Sequence, residues 1–115
     1  KDTLEIWGQG RASRDIIYID DLVDFIEKCI NKQETKYELY NCGAGKAYPI
    51  LDLAKTIMTI NNKDLKFEFD LSKPDIPTTV ILDCEKAKKE LGWQPKTSVE
   101  EGLKKTSEWY KEHVQ

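Results

Sequence analysis

The stretch that decides the fold spans residues 7–23 and reads WGQGRASRDIIYIDDLV. It contains both arginines of the chain, Arg11 and Arg14, whereas sixteen lysines are spread over the rest. An arginine offers a rigid fork of donors that matches two oxygens of a phosphate, and glycines such as Gly8 and Gly10 let the backbone approach a ligand. The stretch therefore fits a loop that binds an anion, and it equally fits a surface hairpin with two solvated arginines.

Both flanks of this glycine loop have the pattern of short strands, and a helix follows. Residues 4–7 alternate between apolar and polar side chains, and residues 15–19 form a β-branched apolar run. Asp20 is placed to cap the first amides of the helix. Apolar side chains then recur at the spacing of one helical face, at Leu22, Phe25, Ile26, Cys29 and Ile30.

Residues 37–42 predict another strand, which runs into a Gly-Ala-Gly-Lys sequence at residues 43–46. This sequence invites comparison with the P-loop that binds nucleotide phosphates. That motif requires a glycine where the chain has Tyr40, and a serine or threonine where it has Ala47. The P-loop hypothesis is therefore rejected.

The second half of the chain continues the alternation of helices and strands. The patterns predict a helix over residues 50–58, a strand over 65–71, a loop over 72–77, an extended segment over 78–82, a short helix over 83–91 that ends at Gly92, and a last helix opening at Ser98. The loop contains Pro74 and Pro77, which cannot donate to a β-ladder. An α/β layered domain is predicted.

Length and charge limit what such a domain can do. A chain of 115 residues has the size of one ordinary domain with its own core. The net charge is −3 with both signs interspersed, unlike a nucleic-acid groove or a membrane surface. No apolar run approaches the roughly 20 residues of a membrane span, and no secretory signal opens the chain. We expect a cytoplasmic protein, and a start at Lys1 without methionine suggests a piece of a longer one.

The three cysteines, Cys29, Cys42 and Cys84, have no Cys-x-x-Cys spacing. Their odd number argues against a disulfide framework, and their spacing argues against a thiolate zinc site. A catalytic thiol would need a histidine partner, and the only histidine is His113 near the end of the chain. The cysteines fit small core residues, so we predict no metal site and no Cys–His nucleophile.

Five segments together resemble the extended short-chain dehydrogenase/reductase family of NAD-dependent nucleotide-sugar epimerases, dehydratases and reductases. They occur in the family's order and spacing, as WGQGRASRDIIYIDDLV, YNCGAGKAYPILDLA, FEFDLSKPD, LDCEKAKKELGWQPK and SVEEGLKKTSEWY. Within the family, the Trp-Gly-x-Gly entry and the Ser-Lys-Pro-Asp segment are similar to the GDP-L-fucose synthase subfamily. The resemblance covers nearly the whole chain.

This resemblance implies a two-part enzyme, of which residues 1–115 are the small layered C-terminal domain that binds the nucleotide-diphosphate sugar. NAD or NADP would be bound by an N-terminal Rossmann domain that the chain lacks. No Gly-x-x-Gly-x-x-Gly follows a strand, and no tyrosine has a lysine four residues later, so the Tyr-x-x-x-Lys proton-transfer pair of the family is missing. We therefore expect no catalytic and no cofactor-binding residue here, and the chain alone should be inactive.

The resemblance also assigns candidate substrate-binding residues. Arg14 matches the family arginine that contacts the diphosphate, and Lys73 matches a second cation that reaches the same group. Trp7 and Gly8 match the loop that passes beside the nucleotide, whereas Arg11 falls at a variable position. Two cations on separate loops can fix a diphosphate, which carries about two charges.

Other family-typical residues are interpreted as structural. Asp20, Asp83 and Ser98 are predicted helix caps. Trp93 and Trp109 are predicted to pack the turn before Pro95 against the last helix rather than to stack on a base.

Two functions remain in competition. The first is the substrate-binding domain of an NAD(P)-dependent nucleotide-sugar epimerase, dehydratase or reductase. The second is a stand-alone interaction or structural domain that has kept the fold and lost the chemistry. The base and sugar of the substrate, the reaction type, the choice between NAD and NADP, and the oligomeric state all stay open.

Overall fold

The computed structural model describes residues 2–114, and within that range it contains four strands and four helices. In chain order they are β1 (Thr3–Trp7), β2 (Ser13–Asp15), α1 (Ile19–Lys32), β3 (Ala47–Pro49), α2 (Ile50–Ile60), β4 (Lys66–Asp70), α3 (Glu85–Leu91) and α4 (Val99–His113). None of the helices in this range is long and apolar enough to cross a membrane. The predicted mixed α/β class is confirmed.

The four strands form two separate two-stranded sheets. β1 pairs in parallel with β4, with Trp7 opposite Asp70. β2 pairs antiparallel with β3, and an isolated bridge joins Ser13 to Thr79. Because parallel strands point the same way, the glycine loop after β1 and the proline loop after β4 leave the same end of their sheet. The topology therefore brings these two loops together.

The buried core is small and centres on a tryptophan. Ala87, Leu91 and Trp93 are almost completely inaccessible and form one cluster. The ring of Phe25 in α1 packs edge-to-face on Trp93, with the ring centroids 5.3 Å apart. We call Phe25, Ala87, Leu91 and Trp93 the Trp93 core.

A buried carboxylate, Asp21, ties α1 to the turn that precedes α4. The residue is 5% exposed, and its carboxylate accepts the backbone N–H groups of Lys96 at 3.1 Å and Thr97 at 3.0 Å. Its main-chain oxygen accepts the indole N–H of Trp93 at 2.9 Å. Asp21 thus satisfies three donors that would otherwise lose their hydrogen bonds to water when they are buried.

Two of the three predicted caps are made. The Ser98 hydroxyl accepts the N–H of Glu101 at 3.2 Å at the start of α4. The Asp83 carboxylate accepts the N–H of Glu85 at 3.0 Å, although Cys84 is the residue that directly flanks α3. Both carboxylate and hydroxyl satisfy amides that have no partner inside their helix.

The prediction that Asp20 caps α1 is wrong. The helix begins one residue earlier, at Ile19, and the flanking residue is Tyr18 in an extended conformation without a side-chain cap. Asp20 is therefore inside the first turn. Its negative charge still favours the positive end of the helix dipole there.

The strand predicted over residues 15–19 is displaced toward the N-terminus. Only Ser13–Asp15 pairs with β3, because the opposite chain turns away just before Ala47. That turn is fixed by the Asp15 carboxylate, which accepts the N–H groups of Ala44 at 2.6 Å and Gly45 at 2.8 Å. Without a partner strand, the β-branched run has no ladder to join.

The strand predicted over residues 37–42 is also wrong. This segment has no regular structure and attaches to α3 through side chains. The Lys86 ammonium bonds the Glu38 carboxylate and the Leu39 carbonyl, and the Asn41 amide donates to the Asp83 carbonyl at 3.1 Å. The ammonium nitrogen of Lys86 also lies 5.0 Å from the centre of the Tyr40 ring.

The prediction that Trp93 and Trp109 pack the turn before Pro95 against the last helix is wrong as well. Trp93 packs on α1 through Phe25 rather than on α4. Trp109 is 56% exposed and stacks on His113 within its own helix. The α4 helix instead packs on α2, where the Ser107 hydroxyl bonds the Asn61 side chain at 2.6 Å.

Candidate functional site

Arg14 lies at the centre of β2, opposite Tyr48 of β3, and is half-buried. One guanidinium nitrogen, Nη1, donates to the carbonyl oxygens of Ser13 at 2.9 Å and Thr78 at 2.8 Å, and contacts the Thr78 hydroxyl at 3.3 Å. All three contacts use the same nitrogen of the fork. Among the residues that the structure describes, the other two guanidinium nitrogens make no hydrogen bond.

The loop after β1 turns sharply at Gly8, which has a φ of +66°. A Cβ atom at this position would lie 2.4 Å from the Asp75 side chain, so the turn and the close approach both require glycine. Trp7 precedes it with 59% of its surface exposed, and its indole N–H donates to Glu5 at 2.9 Å. The loop therefore presents an open aromatic face beside a tightly packed glycine.

Lys73 reaches this loop from the segment after β4. Its ammonium nitrogen lies 5.4 Å from the centre of the Trp7 ring, within the range of a cation–π contact. Every residue from 71 to 81 is exposed, so the lysine stands on a surface segment rather than in a closed pocket. The structure thus brings three of the four predicted residues, Trp7, Gly8 and Lys73, together.

Arg14 joins the same segment by a separate contact. Its bonds to Thr78 attach the chain five residues after Lys73, and the Ser13–Thr79 bridge reinforces this attachment. The two predicted cations are thus connected through residues 73–79. Arg11, in contrast, lines a separate shallow cavity of about 340 Å³ with Gln9, Phe69 and Leu71.

Sequence reasoning missed the role of Asp75. Its carboxylate accepts the N–H of Gln9 at 3.1 Å, and its side chain fills the space above Gly8. The β1 loop and the β4 loop are therefore joined by a carboxylate placed beside Lys73. The sequence contains no local signal for this contact, since the two partners are 66 residues apart.

Asp15 was also missed, although it is next to Arg14. Besides the turn at residues 44–45, its carboxylate accepts the N–H of Leu82 at 3.2 Å. One side chain thereby fixes both the glycine turn and the end of the segment that Arg14 contacts. Asp15 holds the backbone around Arg14 in place.

The same contacts bear on whether this chain could hold a nicotinamide cofactor. A glycine-rich turn binds a pyrophosphate through free backbone N–H groups. In the 43–46 turn, the amides of Ala44 and Gly45 already donate to Asp15. The Ala44 and Gly45 amides of this turn are therefore not free to bind a phosphate.

The cysteines have the environment of structural thiols. Burial raises the pKa of the Cys42 thiol to about 11, and burial likewise raises the pKa of Cys29 and of Cys84. A protonated thiol is a poor nucleophile. His113 is engaged with the carbonyl oxygen of Trp109 in α4. Among residues 2–114, no three histidine, cysteine or carboxylate side chains are gathered as a metal site requires.

Comparison with known proteins gives this geometry a context. The family model described as GDP-mannose 4,6 dehydratase matches residues 1–106. GDP-L-fucose synthase 1 of Arabidopsis thaliana is 31% identical over 109 residues, which are 95% of this chain and 33% of that protein.

Two solved structures have the same fold. UDP-glucose 4-epimerase of Thermotoga maritima, determined with UDP-glucose, has a TM-score of 0.88 at 32% identity, over 98% of this chain and 36% of its own. The dTDP-glucose 4,6-dehydratase of Bacillus anthracis, in complex with NAD, has a TM-score of 0.80 at 27% identity, over 97% of this chain and 35% of its own. The chain therefore spans about a third of the length of the relatives that it matches.

Proposed function

The chain belongs to the GDP-mannose 4,6-dehydratase family of extended short-chain dehydrogenases/reductases, and on that premise we propose that it is the substrate-binding part of a longer nucleotide-sugar-modifying enzyme. The parent would be an NAD(P)-dependent epimerase, dehydratase or reductase. Residues 1–115 form one domain of it and hold the diphosphate of the sugar nucleotide. The relatives named above act on GDP-, UDP- and dTDP-linked sugars, so family membership alone selects no base.

The observation that carries the proposal is the arrangement of Arg14. A half-buried arginine on a strand, anchored through one nitrogen, presents the rest of its fork in a fixed orientation. Such a fork matches two oxygens of one phosphate group. Lys73, on the segment that Arg14 contacts, supplies the second positive charge.

The loop of Trp7 and Gly8 has a separate part in this proposal. Trp7 is largely exposed and the Lys73 ammonium lies over its ring, so the pair offers a flat apolar surface next to a positive charge. A nucleotide has the complementary combination, a flat base or ribose next to a negative phosphate. Gly8 allows the backbone to pass close to such a ligand.

The chemistry would occur outside this chain. A bound NAD(P) would supply a hydride acceptor and donor, and the rest of the parent protein would hold it. The role of the present residues is positional, because fixing the diphosphate leaves the sugar at a defined reach from the reacting centre.

Binding measurements on single variants test the proposal. The 115-residue chain is titrated with GDP, UDP and dTDP and with the matching monophosphates, by calorimetry or ligand-observed NMR. We expect at least one diphosphate to bind more tightly than its monophosphate. Arg14→Ala should then weaken binding about tenfold to a hundredfold, as expected for the loss of a charge-assisted hydrogen bond of about 1.5–3 kcal/mol.

Arg11→Ala is the matched control, because it removes the same charge from the same stretch and should change the affinity less than about twofold. Arg14→Lys keeps the charge without the fork and should give an intermediate affinity. Equal binding by the wild-type chain and Arg14→Ala would refute the role of Arg14. A reading frame that encodes no Rossmann domain would favour the stand-alone interaction domain.

A further inference from the structure

A carboxylate lies at the edge of the exposed Trp7 ring. Glu5 and Trp7 are two residues apart in β1, so they point to the same face of the strand, whereas Ile6 between them is buried on the other face. Oε1 of Glu5 accepts the indole N–H of Trp7 at 2.9 Å. Within residues 2–114, Oε2 of Glu5 accepts no hydrogen bond and no cation pairs with this carboxylate. Glu5 therefore has acceptor capacity left beside the ring.

The stability of the sheet does not explain this carboxylate. Glu68 of β4 is the register partner of Glu5, so two negative side chains lie next to each other on neighbouring strands. Like charges in such positions repel and weaken a sheet. The exposed bond from Glu5 to Trp7 adds little in return, because water competes for both groups. Glu5 is thus better explained by a ligand than by folding.

The proposed ligand would bring the edge of a base close to Glu5. A base that stacks on the Trp7 ring has an edge near this carboxylate, because the carboxylate is itself bonded to the ring. A carboxylate only accepts hydrogen bonds, so it can pair only with donors on that edge. Without such donors it would repel the negative diphosphate of the same ligand. The base should therefore be one whose edge offers N–H groups.

Guanine is the common base that meets this requirement best. Its N1–H and its N2 amino group are adjacent donors, and together they match the two oxygens of a carboxylate. Uracil and thymine present a single N3–H between two carbonyl oxygens, which a carboxylate repels. Adenine and cytosine present an amino group beside a ring nitrogen that is an acceptor. A carboxylate at this edge therefore favours guanine over the other four bases.

We infer that Glu5 is a specificity residue that binds the Watson–Crick edge of the base and selects a guanine nucleotide. The inference rests on the proposed function, because it assumes a nucleoside diphosphate held by Arg14 and Lys73 with its base on Trp7. It adds the identity of the base, which the diphosphate site does not select. A site that pairs with two donors discriminates strongly against a ligand that lacks one of them.

The test compares GDP with inosine diphosphate (IDP), because the two ligands differ only in the N2 amino group. Both are titrated, together with UDP, into the polypeptide encoded by the complete reading frame, and binding is measured by calorimetry. We expect GDP to bind about tenfold to a hundredfold more tightly than IDP, as for the loss of one hydrogen bond to a charged group. UDP should bind no more tightly than IDP.

Two variants separate recognition of the base from support of the Trp7 ring. Glu5→Ala removes both, whereas Glu5→Gln keeps an oxygen for the indole N–H and replaces the other acceptor by a donor. Both variants should reduce the ratio of GDP to IDP affinity to less than about twofold. Glu5→Gln alone decides the question if Glu5→Ala does not fold. Glu68→Ala is the matched control, since it removes the same charge from the neighbouring strand and should leave the ratio unchanged.

The possible failures of this inference and of the proposed function are distinct. Equal binding of GDP and IDP by the wild type, or a wild-type ratio in Glu5→Gln, would overturn the role of Glu5. A fall of the ratio in Glu68→Ala as large as in Glu5→Ala would also overturn it, because the charge alone would then account for the preference. If binding depends on Arg14 but GDP and IDP bind alike, only the present inference fails. If no diphosphate binds more tightly than its monophosphate, both proposals fail.

Discussion

The Trp93 core and the loop segment of residues 71–81 are built on opposite principles. The core is a tryptophan with an aromatic neighbour, a buried hydrogen bond and two almost inaccessible aliphatic side chains. The loop segment has only exposed residues, and it is held by a few contacts, among them Arg14 to Thr78, the Ser13–Thr79 bridge and Asp75 to Gln9.

This difference separates stability from recognition. Contacts in the Trp93 core exclude water, so removing one of them exposes a cavity or an unsatisfied group. Contacts in the loops are open to solvent, so a ligand can add to them or replace them at small cost. Substitutions in the core should therefore change the free energy of unfolding, and substitutions in the loops should change local order and binding.

The largest effect is expected from Trp93→Ala. Truncating a fully buried aromatic side chain typically costs about 3–5 kcal/mol of unfolding free energy, and here it also leaves the Asp21 carbonyl without its indole donor. Trp109→Ala is the matched control, and because Trp109 is largely exposed it should cost about 0.5 kcal/mol or less. Urea unfolding followed by circular dichroism measures both, and similar losses would show that the core is misplaced.

A smaller effect is expected from Asp21→Ala. The backbone N–H groups of Lys96 and Thr97 would lose their acceptor in a partly buried position, at a cost of about 1–3 kcal/mol. The neighbouring substitution Asp20→Ala removes the same charge from an exposed site and should cost about 0.5 kcal/mol. If the two variants have the same urea midpoint, the carboxylate does not anchor the turn.

The next prediction compares substitutions at two glycines, Gly45 and Gly8, that have the same backbone conformation. Gly45→Ala, at a φ of +70°, places its Cβ in ordinary contact with the Leu82 carbonyl oxygen at 3.8 Å and should cost only the strain of the left-handed region, about 1–2 kcal/mol. Gly8→Ala has that strain and also displaces the Asp75 side chain. We expect the Gln9 amide to exchange its hydrogen faster in Gly8→Ala alone. Equal exchange at Gln9 in both variants would contradict the link between the two loops.

The smallest effect concerns pH and the exposed Glu38–Lys86 ion pair. The hydrogen bond from Lys86 lowers the pKa of Glu38 below its ordinary value of 4.5. The pair therefore contributes stability above about pH 4.5, and this contribution is lost as the pH falls through the lowered pKa. The difference in urea midpoint between wild type and Lys86→Met should therefore narrow as the pH falls from 7 through the lowered pKa of Glu38, and the bond from Lys86 to the Leu39 carbonyl accounts for the part that remains. Lys89→Met on the same helix serves as the control and should show no such narrowing.

The parts of the fold that the sequence predicts are those with a local cause. α2 and α4 follow from apolar spacing, β4 follows from the alternation at residues 65–71, and the end of α3 follows from Gly92 in its left-handed conformation. In each case the deciding residues lie within one element. The tertiary environment of these helices and this strand alters their boundaries by a residue or two and leaves the type of element unchanged.

The two strands that fail have a distant cause. Residues 15–19 and 37–42 have the composition of strands, but a strand requires a partner with free backbone groups. The turn at Asp15 ends one possible ladder, and Lys86 replaces the other with side-chain bonds. Neither contact leaves a periodic pattern in the sequence.

The residues of the candidate site also fall into two groups, those that the sequence identified and those that it did not. Arg14, Lys73, Trp7 and Gly8 were named from the family resemblance, and their shared role in binding stays a prediction. Asp75 was not named, because a carboxylate that binds a remote amide is indistinguishable in sequence from a solvated one.

The parallel pairing of β1 with β4 also sets an order of events during folding. The two strands are separated by more than half of the chain, so the entropy of closing that long loop is lost before the ladder forms. During synthesis β1 leaves the ribosome well before its partner exists, and until then its backbone donors and acceptors stay unpaired. An unpaired edge of this kind can associate with other chains. Until β4 has been synthesised, β1 is therefore open to association with other chains.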